Sequence, residues 1–209
     1  GYFAQGVANA YISDAGVIDA NLYNTVSENT TLIAKWNVVT YTVTLDPANG
    51  TLVPGATQTI EYTIEGTVVL PEVTREHYEF NGWRVSSDTT GTNWTQGGFL
   101  DPGTEFTDKY GNINVIAVWT PENFEIRYNL DGGSVATENP TTYTIETPSF
   151  TLNNPTRKGY EFAGWTGTGL KEATKTVTVE TGSNGAREYT ATWTAINYTI
   201  VYDLDGGEL

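Results

Sequence analysis

With 209 residues and a formal net charge of −15, this chain would repel phosphate backbones and anionic bilayers, which argues against nucleic acid or a membrane surface as partner. It has no Cys, so disulfide staples and thiol chemistry are excluded, and no Met, so it is expected to be a mature fragment or a piece of something longer. No apolar run approaches the roughly 20 residues that span a bilayer, so no membrane insertion by this segment is expected.

The elements come in a recurring order. Residues 1–37 read as the back half of a module, with Gly1-Tyr2 near its start and Asn29-Thr-Thr-Leu-Ile-Ala-Lys-Trp36 as a closing strand. A complete module occupies 38–121. Tyr41, Val43 and Leu45 alternate with Thr42 and Thr44, a strand with one apolar face, and Pro47-Ala-Asn-Gly50 supplies the turn. A second strand carries Tyr62-Thr-Ile-Glu65. Then come Leu70-Pro-Glu-Val-Thr-Arg-Glu-His-Tyr-Glu-Phe-Asn-Gly-Trp83 and the closing Asn112-Ile-Asn-Val-Ile-Ala-Val-Trp119.

The module at 122–195 repeats this order. Phe124, Ile126 and Tyr128 alternate with Glu125, Arg127 and Asn129 before Asp131-Gly-Gly133. Tyr143-Thr-Ile-Glu146, Leu152-Asn-Asn-Pro-Thr-Arg-Lys-Gly-Tyr-Glu-Phe-Ala-Gly-Trp165 and Arg187-Glu-Tyr-Thr-Ala-Thr-Trp193 complete it. Residues 196–209 hold the opening strand of a further module, Tyr198-Thr-Ile-Val-Tyr-Asp-Leu-Asp-Gly-Gly207. The opening strands at Tyr41, Phe124 and Tyr198 lie 83 and 74 residues apart, and Trp36, Trp119 and Trp193 keep the same two intervals. Two landmarks with one spacing make a tandem array of small modules. No helical pattern of ten or more residues is visible. An isolated strand is unstable in water, so each half-module is expected to be completed by neighbouring repeats of the same or an adjacent chain.

The two full modules differ between Gly-Trp and the closing Trp. That stretch is 36 residues in the first and 28 in the second, and the surplus falls at 86–103, a Gly-, Thr- and Ser-rich insertion. It contains Trp94 and Phe99, for which the repeat has no counterpart.

Put together, a Tyr-x-Val/Ile strand, an Asp-Gly-Gly turn, Pro-Thr-Arg-x-x-Tyr-x-Phe-x-Gly-Trp and a closing Ala-x-Trp resemble the Listeria–Bacteroides repeat, the internalin-type B repeat. The strongest segments are 154–165 and 191–193; the first module departs by placing Val73 for Pro155, His77 for Gly159 and Asn49-Gly50 for Gly-Gly. The resemblance implies mainly β, β-grasp-like modules in an elongated array. It also implies a non-enzymatic role as stalk or spacer in a bacterial cell-surface protein, with adhesion in some members. It brings no catalytic set and no cofactor. An acidic, Thr-rich, Cys-free β array fits the extracellular bacterial surface.

Few residues suggest chemistry. His77, the only His, aligns with Gly159, which predicts a turn with positive φ rather than a catalytic base. No metal site is expected. The Asp203-Leu-Asp205 turn lacks the later ligands of a calcium loop, and the acids are not kept at Asn129 or in Asp46-Pro-Ala-Asn-Gly50. Gly82-Trp83 and Gly164-Trp165 read as core aromatics with a close backbone approach. The candidate ligand-binding set is Trp94, Phe99, Asn93 and Asp101, with Asp88 beside them: if exposed, these would contact a host glycan or surface protein. Packing of Trp94 and Phe99 within the module is the competing reading. Lys35, Lys109, Lys171 and Lys175 are formal candidates for an internal Lys–Asn cross-link. A third role would have the strand at 196–205 complete a partner molecule in a filament.

Overall fold

The computed structural model describes residues 2–4, 32–34, 36–87, 89–203 and 205–208. Asp88, Lys35 and most of the half-module at 1–37 lie outside the described residues. The described residues form strands and no helix.

In chain order the strands are β1 (Tyr2–Ala4), β2 (Leu32–Ala34), β3 (Thr40–Asp46), β4 (Thr51–Leu52), β5 (Thr59–Thr63), β6 (Val68–Val69), β7 (Val73–Thr74), β8 (Tyr78–Val85), β9 (Phe99–Leu100), β10 (Glu105–Phe106) and β11 (Ile113–Pro121). They continue with β12 (Phe124–Asn129), β13 (Thr142–Tyr143), β14 (Phe150–Thr151), β15 (Tyr160–Gly167), β16 (Thr178–Val179) and β17 (Arg187–Ala195). By packing, the chain divides into two compact units. One draws on Gly1–Ala48, Leu52–Glu72 and Gly82–Ala117, the other on Asn49–Thr51, Val73–Asn81 and Val118–Leu209.

The first unit is built on a five-stranded sheet in the order β5-β3-β11-β8-β9. β3 runs antiparallel to β5, with Tyr41 opposite Tyr62, and parallel to β11, with Val43 opposite Ile113 and Asp46 opposite Ile116. Alternation along β3 decides which face is covered: Val43 and Leu45 are buried while Thr42 and Thr44 stay partly wet. Val68, on the two-stranded ribbon of β6 with β10, is buried like Val43 and Leu45, as are Leu70, Trp83, Val85, Ile113 and Val115. Here β1 meets β2 antiparallel with Tyr2 opposite Ala34, the register that Trp165 and Ala191 keep in β15 and β17.

The second unit repeats the plan with four strands, β13-β12-β17-β15. β12 is parallel to β17 from Ile126 opposite Arg187 to Asn129 opposite Thr190, and β15 is antiparallel to β17 over the whole strand with a bulge at Phe162–Gly164. The β14–β16 ribbon covers the sheet, and the core gathers Phe124, Ile126, Tyr143, Leu152, Trp165, Val177, Val179, Tyr189 and Ala191. Parallel neighbours require a long crossover. Such a crossover is usually an α-helix; among the described residues it is made of loops and ribbons.

Gly-Trp is explained by the segment that crosses over it. At Gly164, with φ 144°, an added Cβ would lie 2.6 Å from the Thr174 backbone nitrogen. That loop is bound there by reciprocal Trp165–Thr174 backbone hydrogen bonds. At Gly82, with φ 122°, the Phe99 ring takes the space instead, 2.8 Å from an added Cβ. The neighbouring Trp83 and Trp165 are fully buried, as their position in the repeat predicts. Each indole N–H keeps a partner: Trp83 donates to the Pro71 carbonyl at 2.8 Å and Trp165 to Asn154 Oδ1 at 3.0 Å.

Past β17 the chain leaves the core. Tyr198, Ile200, Val201 and Tyr202 are exposed, and Asp205 and Gly206 hold the positive φ of the turn at 44° and 86°. The same turn pair in β12's hairpin, Asp131 and Gly132 at 46° and 81°, is closed by a 2.9 Å bond from the Gly133 N–H to the Leu130 carbonyl. Two consecutive left-handed residues match the strand twist.

Candidate functional site

The insertion at 86–103 departs from the repeat, so its aromatic residues decide whether it forms a contact surface. Trp94 does not. It is 5 % exposed, with its ring edge-on to Tyr62 at 6.3 Å and tilted against Phe106 at 5.4 Å. Its indole N–H donates to the Tyr62 hydroxyl at 2.9 Å, and that hydroxyl donates to the Gly111 carbonyl. Lys109 places its ammonium over the ring at 5.0 Å. Burial raises the Tyr62 phenol above its ordinary range, against the opposing pull of the Trp94 N–H, with the Tyr41 phenol adding slightly to the rise.

The second repeat explains this cluster. Tyr143 stands where Tyr62 stands, and its hydroxyl donates to the Gly185 carbonyl at 2.6 Å, the counterpart of Gly111. Its donor is Arg187, whose Nε reaches the hydroxyl at 2.8 Å and whose Nη1 also reaches the Tyr189 hydroxyl at 3.3 Å. In the first repeat the position of Arg187 is held by Ile113, which has nothing to donate. Trp94 supplies the missing N–H from the insertion. A buried hydroxyl acceptor left without a donor costs about 1–3 kcal/mol, which gives the insertion a structural task.

Of the other sequence candidates, Asn93 ties the insertion down. Its side-chain amide donates to the Asp108 carbonyl at 2.7 Å and accepts from the Tyr110 N–H at 3.0 Å. Asp101 is exposed and its carbonyl accepts from the Thr104 N–H at 3.4 Å. Phe99 is 49 % exposed on β9, opposite Arg84 of β8. The four therefore do not make one aromatic patch: Trp94 faces inward, and Phe99, Asn93 and Asp101 remain at the surface. The signal that finds the role of Trp94 is the Ile113–Arg187 exchange.

His77 has φ 62°, the left-handed turn its alignment with Gly159 predicts. Its Nδ1 lies 3.4 Å from Glu122 and its Nε2 3.5 Å from Glu76. Lys171 and Lys175 are exposed, the latter 3.2 Å from Glu161. Among the described residues no three His, Asp or Glu side chains gather as a metal site, and no helix is long and apolar enough to cross a membrane.

The closing Trp also has a defined seat. Trp193 donates its indole N–H to the Leu130 carbonyl at 3.2 Å, and its ring lies against Gly133, where any side chain would collide with it. Phe162 packs edge-on at 5.6 Å. The opening turn and the closing strand are thus locked to each other.

Comparison with known proteins gives two results. The family described as "Flg_new: Listeria-Bacteroides repeat domain (List_Bact_rpt)" matches residues 41–107 and 124–192. Two proteins of Evansella cellulosilytica are similar over most of the chain. One, named "Putative membrane protein", is 28 % identical over 191 residues, covering 88 % of this chain and 26 % of that protein. The other, named "Putative Gly-rich membrane protein", is 28 % identical over 186 residues, covering 87 % and 19 %. The chain thus spans about a quarter or less of the length of these relatives. No solved structure matches.

Proposed function

Because this chain belongs to the Listeria-Bacteroides repeat domain family, we propose that it is a non-enzymatic spacer segment of a bacterial surface protein. It stands outside the cell and carries a distal adhesive or functional part. Its partners are the neighbouring repeats of its own or an adjacent chain. The relatives named as membrane proteins support a parent protein held at the cell envelope.

The observation that carries this reading is the parallel ladder between opening and closing strands. The chain enters a repeat at the start of β12 and leaves at the end of β17, and the two strands run side by side in the same direction. Entry and exit therefore lie at opposite ends of the ladder. Tension between them shears the four registered pairs together instead of peeling them one by one. β3 and β11 share the arrangement over Val43–Asp46 and Ile113–Ile116. The Trp193 seat against Leu130 and Gly133 adds a side-chain stop to the same pair of elements.

Single-molecule extension tests it. Paired strands bring Cα atoms within disulfide range, so Arg127→Cys with Glu188→Cys, which are opposite each other, can lock the ladder. The parent chain should show a discrete unfolding step for this repeat, and the oxidised variant should lose the extension of the residues enclosed by the bridge. A repeat that extends no more reluctantly than an unstructured linker would defeat the spacer reading.

A second reading, an adhesin contacting a host glycan or protein through the insertion, is favoured by the exposed Phe99. Phe99→Ala, its retained fold checked by circular dichroism because the ring packs over Gly82, should abolish capture on a glycan or host-protein array if that reading holds. Unchanged capture removes it.

A further inference from the structure

We propose that the turn opening the Tyr-x-Phe strand of each repeat is the joint that holds the next repeat's opening strand, and that the side chain at its left-handed position grades how firmly: His77 clamps its joint, Gly159 leaves its own loose. The inference concerns how successive repeats are fastened and holds for a spacer or an adhesin alike.

The joint is built twice with one backbone scheme. The Glu122 N–H donates to the His77 carbonyl at 2.9 Å, and the Ile196 N–H donates to the Gly159 carbonyl at 3.0 Å. These are equivalent positions: Glu122 lies three residues past Trp119, and Ile196 three past Trp193. The turns themselves close alike, Tyr78 N–H to the Arg75 carbonyl at 3.1 Å and Tyr160 N–H to the Arg157 carbonyl at 3.1 Å. An arginine lies over the tyrosine ring in both, at 3.6 Å and 4.0 Å. Both joints lie inside the second compact unit.

The side chains differ. The His77 ring stands edge-on to Phe124 at 5.5 Å, and Phe124 is the opening aromatic of the next repeat, buried in its core. Nδ1 of the same ring lies 3.4 Å from Glu122, in the linker between closing and opening strands. The adjoining Tyr78 donates its hydroxyl to Glu146 at 2.7 Å, in the turn that follows β13 of that next repeat; this bond raises the Tyr78 phenol above its ordinary range. One turn thus touches the linker and both the opening strand and the turn after β13 of the next repeat. Gly159 has no ring to offer. It is also a position where a ring could be added: φ is 82° and a Cβ there would meet nothing within 4 Å.

The test removes the ring at one position and adds it at the other in the full chain, and reads amide hydrogen exchange by NMR. His77→Asn keeps the left-handed turn, which Asn tolerates, and removes the ring. The Glu122 amide should then exchange about twofold to tenfold faster, the range an aromatic edge contact supports. The amides of the β12–β17 ladder should stay as protected as in the parent. Gly159→His should slow the Ile196 amide by a similar factor. An unchanged Glu122 rate in His77→Asn overturns the clamp. Acceleration spread over the ladder overturns a local joint in favour of a general loss of stability. An unchanged Ile196 rate in Gly159→His overturns the grading.

Discussion

Residue by residue, this protein is organised around hydroxyl groups that must find donors. Tyr62 and Tyr143 bury equivalent phenols whose hydroxyls each donate to a glycine carbonyl, and each accepts from a different source, an indole in one repeat and a guanidinium in the other. Trp94→Phe keeps the ring and deletes the donor, so it should cost about 1–2 kcal/mol, read as a shift of the urea midpoint. Trp94→Ala, which also empties the site, should cost about 3–5 kcal/mol. A midpoint unmoved by Trp94→Phe would show that the tyrosine acceptor was satisfied otherwise. Because Trp94 is buried, any loss of binding in Trp94→Ala would follow loss of folding. The fully buried Trp83 and Trp165 and the turn at His77 were legible in the sequence, because recurrence at one position marks a shared packing site. The role of Trp94 was not legible in its own segment, because the Ile113–Arg187 exchange gains its meaning only once the fold sets that position beside the buried tyrosine.

Among the strands, the ladder between opening and closing members holds a tyrosine that links stability to high pH. Tyr128 lies on β12 and donates its hydroxyl to the Pro140 carbonyl at 2.8 Å. Burial, and secondarily the Tyr189 phenol stacked at 6.2 Å, push its pKa up to about 12. The unfolded chain holds such a proton only to about pH 10. The folded state binds it more tightly, so this contribution is complete below about pH 10 and is lost as pH rises towards about 12. Denaturant unfolding at pH 9, 10 and 11 should therefore show stability falling in the parent chain and falling less steeply in Tyr128→Phe. Equal slopes would mean that Tyr128 does not carry the effect. The strands themselves, with their period-two alternation and Asp-Gly or Asn-Gly turns, could be placed from sequence. Their partnership was expected only through the β-grasp-like resemblance, not from local pattern, because it joins residues on either side of a long crossover, and local pattern fixes a strand's faces but not its neighbour.

Over the entire chain, the charge of −15 is spread among few compensating cations. The ion pairs among the described residues, such as Arg127–Glu125 at 2.9 Å, are largely exposed and contribute little each. Self-repulsion should therefore be felt at low salt, where the screening length is about 30 Å, and relieved near 0.1 M, where it is about 10 Å. The melting temperature should rise over that interval of monovalent salt by a few degrees. A flat or falling trend would show that local pairs outweigh the net charge.

The tandem repeat, the all-β character, the family and the aromatic core positions could all be read from the order of residues alone. Each rests on spacing and alternation that the chain carries locally. Three features were decided only by the folded arrangement: Trp94 turns inward to the Tyr62 hydroxyl instead of outward, the opening and closing strands run parallel in one register, and His77 fastens one repeat's turn to the next repeat's first aromatic. Each of those depends on groups far apart in the chain meeting in space: a hydroxyl and its donor, two strands across a crossover, a ring and the core it touches. No periodicity encodes which distant partner will be there.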